Sequence, residues 1–74
     1  MVVKVVLHGE FRFGRFPNKK MEIPENCDVD WILSTLNIPP EEAAIILVNG
    51  QSSSRKTILH DGDALLLSPP VGGG

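Results

Sequence analysis

The stretch Asp28-Val29-Asp30-Trp31-Ile32-Leu33-Ser34-Thr35-Leu36-Asn37-Ile38-Pro39-Pro40 decides the fold. Val29, Ile32, Leu33 and Leu36 recur at i, i+3, i+4 and i+7, which draws a single apolar stripe along a helix. Asp28 stands where an N-cap is needed, and Asp30 falls in the first turn, where the helix dipole favours an anion. Asn37 tolerates the left-handed conformation that often follows a helix, and Pro39-Pro40 prevents continuation. No other segment shows a comparable helical period. A lone amphipathic helix must lay its stripe on something, so the flanking sequence has to supply a sheet.

On the N-terminal side, Val2-Val3-Lys4-Val5-Val6-Leu7-His8 is short, β-branched and bounded by Gly9. Alternation puts Val3, Val5 and Leu7 on one face of this strand and Lys4 and His8 on the other. Glu10 to Asn18 is a turn region containing Gly14 and Pro17; its Phe11, Phe13 and Phe16 either extend the first strand or pack over a hairpin loop. Lys19 to Ile23 alternates polar and apolar side chains and reads as a second strand ended by Pro24. On the C-terminal side, Pro40-Glu41-Glu42 starts one further helical turn, Ala44 to Val48 is a third strand, and Asn49-Gly50 is a strong turn signal. Gln51 to Thr57 leaves room for one short edge strand. Asp61-Gly62-Asp63 turns into the last strand, Ala64 to Ser68, which the diproline ends.

The order is β-β-α-β-(β)-β. A chain of this length supports one two-layer core, so the reading is an α+β fold: a mixed sheet of four to five strands packed on one helix. First and last strands as central neighbours make a parallel pair in an otherwise antiparallel sheet, which is the β-grasp architecture. The expected core is Val5, Ile23, Val29, Ile32, Leu33, Leu36, Ile46, Val48, Leu65 and Leu67. Residues 1–68 are expected to form the domain and 69–74 a flexible tail.

Seventy-four residues with 42% hydrophobic content describe one small folded domain rather than a disordered chain. The net charge of −2 and the absence of a basic stripe argue against nucleic-acid binding. Lys4, Arg12, Arg15, Lys19 and Lys20 precede Glu22, Glu25, Asp28, Asp30, Glu41 and Glu42, which leaves either two faces of opposite sign or a mixed solvated surface. Cys27 is the only cysteine, so no intrachain disulfide forms, and no apolar run approaches the ~20 residues that span a bilayer. With no signal-peptide pattern at its start, the chain is expected in the cytoplasm.

Side-chain chemistry is sparse. His8 and His60 lack partners at metal-site spacing, and Asp61 and Asp63 read as turn residues, so no metal site is expected. Ser52-Ser53-Ser54 has no nucleophile-elbow context. Cys27 lies just before the helix, where a dipole can activate a thiol for a redox or persulfide role, but the favoured reading is a small residue in the turn before the N-cap. Trp31 falls off the apolar stripe and either covers a flanking loop or offers an aromatic anchor to a partner. The constellation an enzyme needs is missing. What the chain does present is its ending, Pro69-Pro70-Val71-Gly72-Gly73-Gly74. Three glycines without side chains make either a frayed end or a slim rod that carries the Gly74 carboxylate into a narrow site. Alternation also places Leu47 and Leu66 on the sheet face away from the helix, with His8 near their rim. These leucines form a candidate partner surface unless the Phe11–Phe16 loop folds over them.

Three segments in this order carry a family resemblance: Ile46-Leu47-Val48-Asn49-Gly50, Leu59-His60-Asp61-Gly62-Asp63 and the Pro-Pro-Val-Gly-Gly-Gly ending. With Asp28-Val29-Asp30-Trp31-Ile32-Leu33 at the helix start, the chain resembles the ubiquitin-like sulfur carriers, the small subunit of molybdopterin synthase and the sulfur carrier of thiazole synthesis. Ser68 departs from the apolar residue common before the diproline, and Trp31 replaces a usual polar residue. The resemblance implies that a ubiquitin-activating-type enzyme adenylates Gly74 with ATP. A sulfur donor enzyme then supplies persulfide sulfur, and a thiocarboxylate delivers it to a sulfur-accepting synthase subunit. Gly72 and Gly73 would be the threading tail, and Leu47, Leu66 and His8 the docking surface. The carrier itself would be no enzyme and bind no cofactor. Pro-Pro-Val resembles the molybdopterin type more than the thiamine thiazole type, which stays open. Two alternatives remain: a modifier conjugated to lysine, and a non-covalent β-grasp interaction module.

Overall fold

Helix α1 (Val29–Thr35) begins and ends as its caps dictate. The computed structural model describes residues 1–70. Asp28 is extended at φ −105° and ψ 178°, and its carboxylate accepts the Trp31 N–H at 3.0 Å. At the other end Asn37 takes φ +57°, the Asn37 N–H donates to the Ser34 carbonyl, and the Ile38 N–H donates to the Leu33 carbonyl. That pair of bonds is the Schellman motif, with buried Ile38 folded back towards buried Leu33. The helix therefore stops at Thr35, and Leu36 becomes a half-buried cap residue that packs against the margin of the core rather than inside it. Ile38 fills the core in its place.

Around α1 the chain forms β1 (Val2–Leu7), β2 (Asn18–Glu22), β3 (Ile45–Val48), β4 (Gln51–Ser52) and β5 (Ala64–Ser68). Short 3-10 turns occupy Gly9–Arg12 and Pro40–Glu42. The strand order is β2-β1-β5-β3-β4, with β1 and β5 parallel at the centre and every other pairing antiparallel. This is the mixed five-stranded sheet and single helix of the β-grasp. β2 starts one residue earlier than its alternation predicts, and Ile23 continues the pairing beyond it through bonds in both directions with Met1.

The core lies between α1 and the sheet face carrying Val3, Val5, Leu7, Ile46, Leu65 and Leu67. Val29, Ile32 and Leu33 meet it at 0% exposure. Each such side chain contributes about 1.5–3 kcal/mol by leaving water. Val48, expected inside, packs against the core but is only half-buried, because its outer neighbour β4 is two residues long and leaves the margin open. Phe11, Ile38 and Leu59 join the core although the sequence pattern does not place them there. Phe11 neither extends β1 nor covers the hairpin; its 3-10 turn folds it into the core, while Phe13 stays 77% exposed.

Candidate functional site

The sheet face opposite α1 carries a row of directly paired residues. Val6 lies opposite Asn18 on one side and Leu66 on the other; Leu66 pairs with Leu47, and Leu47 with Ser52. Val6, Leu66 and Leu47 are half-buried and stay partly open to water. With Gly50, Ala64 and Leu65 they line a shallow depression of about 160 Å³. Phe11 is committed to the core, so it does not lie over this row. Val6 is the member of the row that sequence reasoning misses, although the alternation that buries Val5 and Leu7 puts it on the open face.

Charge flanks the row on one side. Lys4 and Lys20 are direct cross-strand partners and both are exposed. Like charges directly opposite repel, and no carboxylate among the described residues forms a salt bridge with either lysine. On the other side stands exposed His8, two residues beyond Val6, its N–H donating to the Leu67 carbonyl at 3.0 Å. Next to it the chain leaves the sheet. Ser68 is buried, its Oγ donates to the Pro69 carbonyl at 3.2 Å, and its own carbonyl accepts the Ala44 N–H at 3.1 Å. Gly72, Gly73 and Gly74, the residues expected to carry the chemistry, lie outside the described residues.

The two turn segments of the resemblance are held together by side chains. Asn49 (φ +52°) and Gly50 (φ +80°) make the tight turn between β3 and β4, both in the left-handed region such a turn requires. The Asn49 side chain donates to Asp63 Oδ1 at 2.9 Å and accepts the Ala64 N–H at 2.9 Å. Asp63 Oδ2 accepts the His60 N–H at 2.8 Å. That backbone bond holds the Asp63 carboxyl below its ordinary range, opposed by partial burial and helped by Asn49 and the nearby imidazole. These residues set the register of β5 and so the point where the tail begins.

Other candidates have structural surroundings. Cys27 is buried, and its carbonyl accepts the Leu59 N–H at 2.8 Å. Asp30 is bridged by Arg55 at 3.1 Å and Lys56 at 3.0 Å, while the Asp30 and Val29 N–H groups donate to the Arg55 and Thr57 carbonyls. The loop after β4 thus satisfies the helix start. Trp31 stays at the surface, 36% exposed. Arg15, one of the basic residues of the hairpin, is turned inward: its guanidinium donates to the Leu36, Asn37 and Phe11 carbonyls. Among the described residues no three His, Cys, Asp or Glu side chains stand close enough to share a metal ion, and no helix is long and apolar enough to cross a membrane.

Solved structures of the same architecture span nearly the whole chain. A Pyrococcus furiosus protein assigned as molybdopterin converting factor, subunit 1, superposes with a TM-score of 0.76 at 25% identity, covering 96% of this chain and 99% of that one. In the Helicobacter pylori complex of subunits 1 and 2 of molybdopterin-converting factor, a chain is 26% identical at a TM-score of 0.65, with full coverage of both (100% and 100%). SAMP1 from Haloferax volcanii shares the fold at a TM-score of 0.75 and 19% identity, again over 100% of both chains. Against curated protein sequences the chain shows no significant match. The ThiS family profile matches residues 5–74, from the first strand through the terminal glycines. A β-grasp sheet, the Asn-Gly and Asp-Gly-Asp turns stapled across β3 and β5, and a profile match that runs through the last glycine place this chain in the ThiS family, the ubiquitin-like sulfur carriers it resembles in sequence.

Proposed function

We propose that this protein is a sulfur carrier whose chemistry resides at Gly74. The observation that carries the proposal is the family match extending through the final glycines of a chain whose tail is rooted on a central strand. A carboxylate is a poor electrophile. A ubiquitin-activating-type enzyme joins it to AMP at the expense of ATP, releasing pyrophosphate. The terminal sulfur of a persulfide then attacks the acyl carbon and AMP leaves. A thiol cleaves the remaining S–S bond, so that a thiocarboxylate stands on Gly74. That sulfur is a nucleophile, and glycines 72 and 73 let it thread into the pocket of an accepting enzyme.

In this reading the carrier contributes shape and reach, and its partners contribute catalysis. The Val6–Leu66–Leu47 row, with His8 at its end and Lys4 and Lys20 beside it, docks the activating enzyme. The Helicobacter pylori subunit complex supports a synthase subunit as the sulfur acceptor, with the molybdopterin type preferred over the thiazole type. The carrier needs no cofactor of its own, and a reducing cytoplasm suits both the persulfide chemistry and the unpaired Cys27.

The test is incubation with an adenylating enzyme, a cysteine-persulfide donor and ATP, followed by intact-protein mass spectrometry. Exchange of one oxygen for sulfur at Gly74 is expected. Deleting Gly73 and Gly74, or extending the terminus with a tag, should abolish it while circular dichroism stays unchanged. Undiminished activation of a tagged chain refutes the carrier reading; lysine-linked adducts instead of a thiocarboxylate identify a modifier, and no reaction at all identifies an inert interaction module.

A further inference from the structure

Pro69 is buried, although the strand before it has ended and the chain is leaving the domain. The ring lies on Gly9. A Cβ added at Gly9 would meet Pro69 Cγ at 3.2 Å and Cδ at 3.5 Å. The first distance is tighter than ordinary van der Waals contact. Gly9 also has φ +58°, a conformation costly for most side chains. The positive-φ glycines at 14, 50 and 62 meet nothing within 4 Å. Among these four positions, only Gly9 combines the left-handed backbone with a close neighbour, and that neighbour is the root of the tail.

The loop beneath Pro69 is braced. The His8 N–H is bonded to the Leu67 carbonyl on β5, which ties the residue before Gly9 to the strand that Pro69 follows. Gly9 opens the 3-10 turn whose Phe11 is 3% exposed in the core. Arg15 clamps that turn to the end of α1, donating from Nη1 to the Phe11 carbonyl at 3.0 Å and from Nε to the Leu36 carbonyl at 2.8 Å. From above, the Ser68 hydroxyl donates to the Pro69 carbonyl at 3.2 Å, which orients the peptide leading to Pro70. Proline rings fix φ at both positions.

We infer that Gly9 is a positioning residue: it forms a seat for Pro69 that sets the direction in which the chain leaves the domain, and so aims the terminus relative to the docking face. This inference rests on the carrier reading. Four residues beyond Pro70 reach at most roughly 14 Å, so where the root is held limits which sites the terminus can reach. A fixed root narrows the volume the carboxylate must search once the sheet face is docked, which raises its effective concentration at the adenylation site. The seat therefore acts on the reaction of the bound carrier and leaves docking alone.

The experiment compares Gly9→Asn with Gly14→Asn. Asparagine tolerates positive φ, so both variants carry the same modest backbone cost, but only the first pushes a Cβ into Pro69. Pyrophosphate exchange with the adenylating enzyme is measured as a function of carrier concentration. Gly9→Asn should lower kcat by about tenfold with KM unchanged, while Gly14→Asn behaves as wild type. Nuclear Overhauser contacts between the Gly9 α-protons and the Pro69 ring should be present in wild type and in Gly14→Asn. In Gly9→Asn the chemical shifts of the Pro69 ring protons should move away from their wild-type values, because the added Cβ displaces the ring, whereas in Gly14→Asn they should stay in place. Should Gly9→Asn fail to fold, Pro69→Ala keeps the glycine, removes the ring carbons, and should show the same fall in kcat. A wild type that forms no adenylate sinks the carrier reading. A wild type that reacts while Gly9→Asn or Pro69→Ala reacts equally well overturns the seat, as does an equal loss in Gly9→Asn and Gly14→Asn.

Discussion

Replacing Arg15 with methionine should destabilise the domain far more than replacing a surface arginine would. Helix α1 has no basic residue in its last turn, and its exposed carbonyls end in a partial negative charge. Arg15 supplies the missing cation from a loop 21 residues earlier in the chain. Its planar fork bonds the Leu36 carbonyl at 2.8 Å and the Asn37 carbonyl at 3.1 Å, and a further nitrogen holds Phe11 at 3.0 Å. A hydrogen bond from a charged donor is worth about 1.5–3 kcal/mol when protected. The site is only partly buried and water replaces some of the loss, so about 2 kcal/mol in total is expected for Arg15→Met. In a domain of this size that corresponds to a fall in Tm of roughly 8–16 °C. Arg15→Lys keeps the charge but loses the fork, and should recover less than half of the loss. Urea denaturation followed by circular dichroism gives the measurement. Salt screens the share owed to the helix dipole, but the direct hydrogen bonds to neutral carbonyls should leave most of the effect at high salt, unlike that of the exposed Arg55 and Lys56 pairs with Asp30. A change below about 0.5 kcal/mol, the range of ordinary surface substitutions, would refute the clamp.

Leu33, at 0% exposure, should cost about 2–5 kcal/mol when cut to alanine, out of the roughly 5–10 kcal/mol a small domain holds; an unmoved denaturation midpoint would mean the helix faces another way. Leu47→Ala combined with Leu66→Ala should weaken binding to the adenylating enzyme at least tenfold, about 1.4 kcal/mol, with the fold intact by circular dichroism. Equal affinity in calorimetric titration would remove the open sheet face from docking. Asp63 has a lowered folded-state pKa, so its contribution is fully present above the ordinary value of 3.8 and disappears as pH falls through the folded value. Asp63→Asn should therefore flatten the acid side of the stability profile below that pH, and an unaltered acid limb would show that the carboxylate does not matter there.

Much of this molecule is legible from residue order because the relevant physics is local. The helix limits follow from Asp28 as acceptor for the first-turn donors and Asn37 at positive φ. The strand ends follow from Asn49-Gly50, Gly62 and the diproline, whose backbones admit few conformations. One apolar stripe flanked by alternating strands then leaves little besides a β-grasp. The glycine ending and the turn motifs point to the family for the same reason: they are short, contiguous and chemically distinctive. Tertiary structure decided whatever depends on residues distant along the chain. It turned Phe11 inward, substituted Ile38 for Leu36 once the helix ended, and left Val48 at an open margin beside a two-residue strand. Register placed Val6 beside Leu66 and Leu47, a row assembled from the two ends and the middle of the chain. Arg15 reads in sequence as one more surface charge, because nothing near it announces the helix end it meets. Gly9 reads as an ordinary strand boundary, because Pro69 lies 60 positions away and only the parallel pairing of β1 with β5 brings them into contact. Local conformational preference is written residue by residue, whereas contact across the fold exists only after the chain has closed.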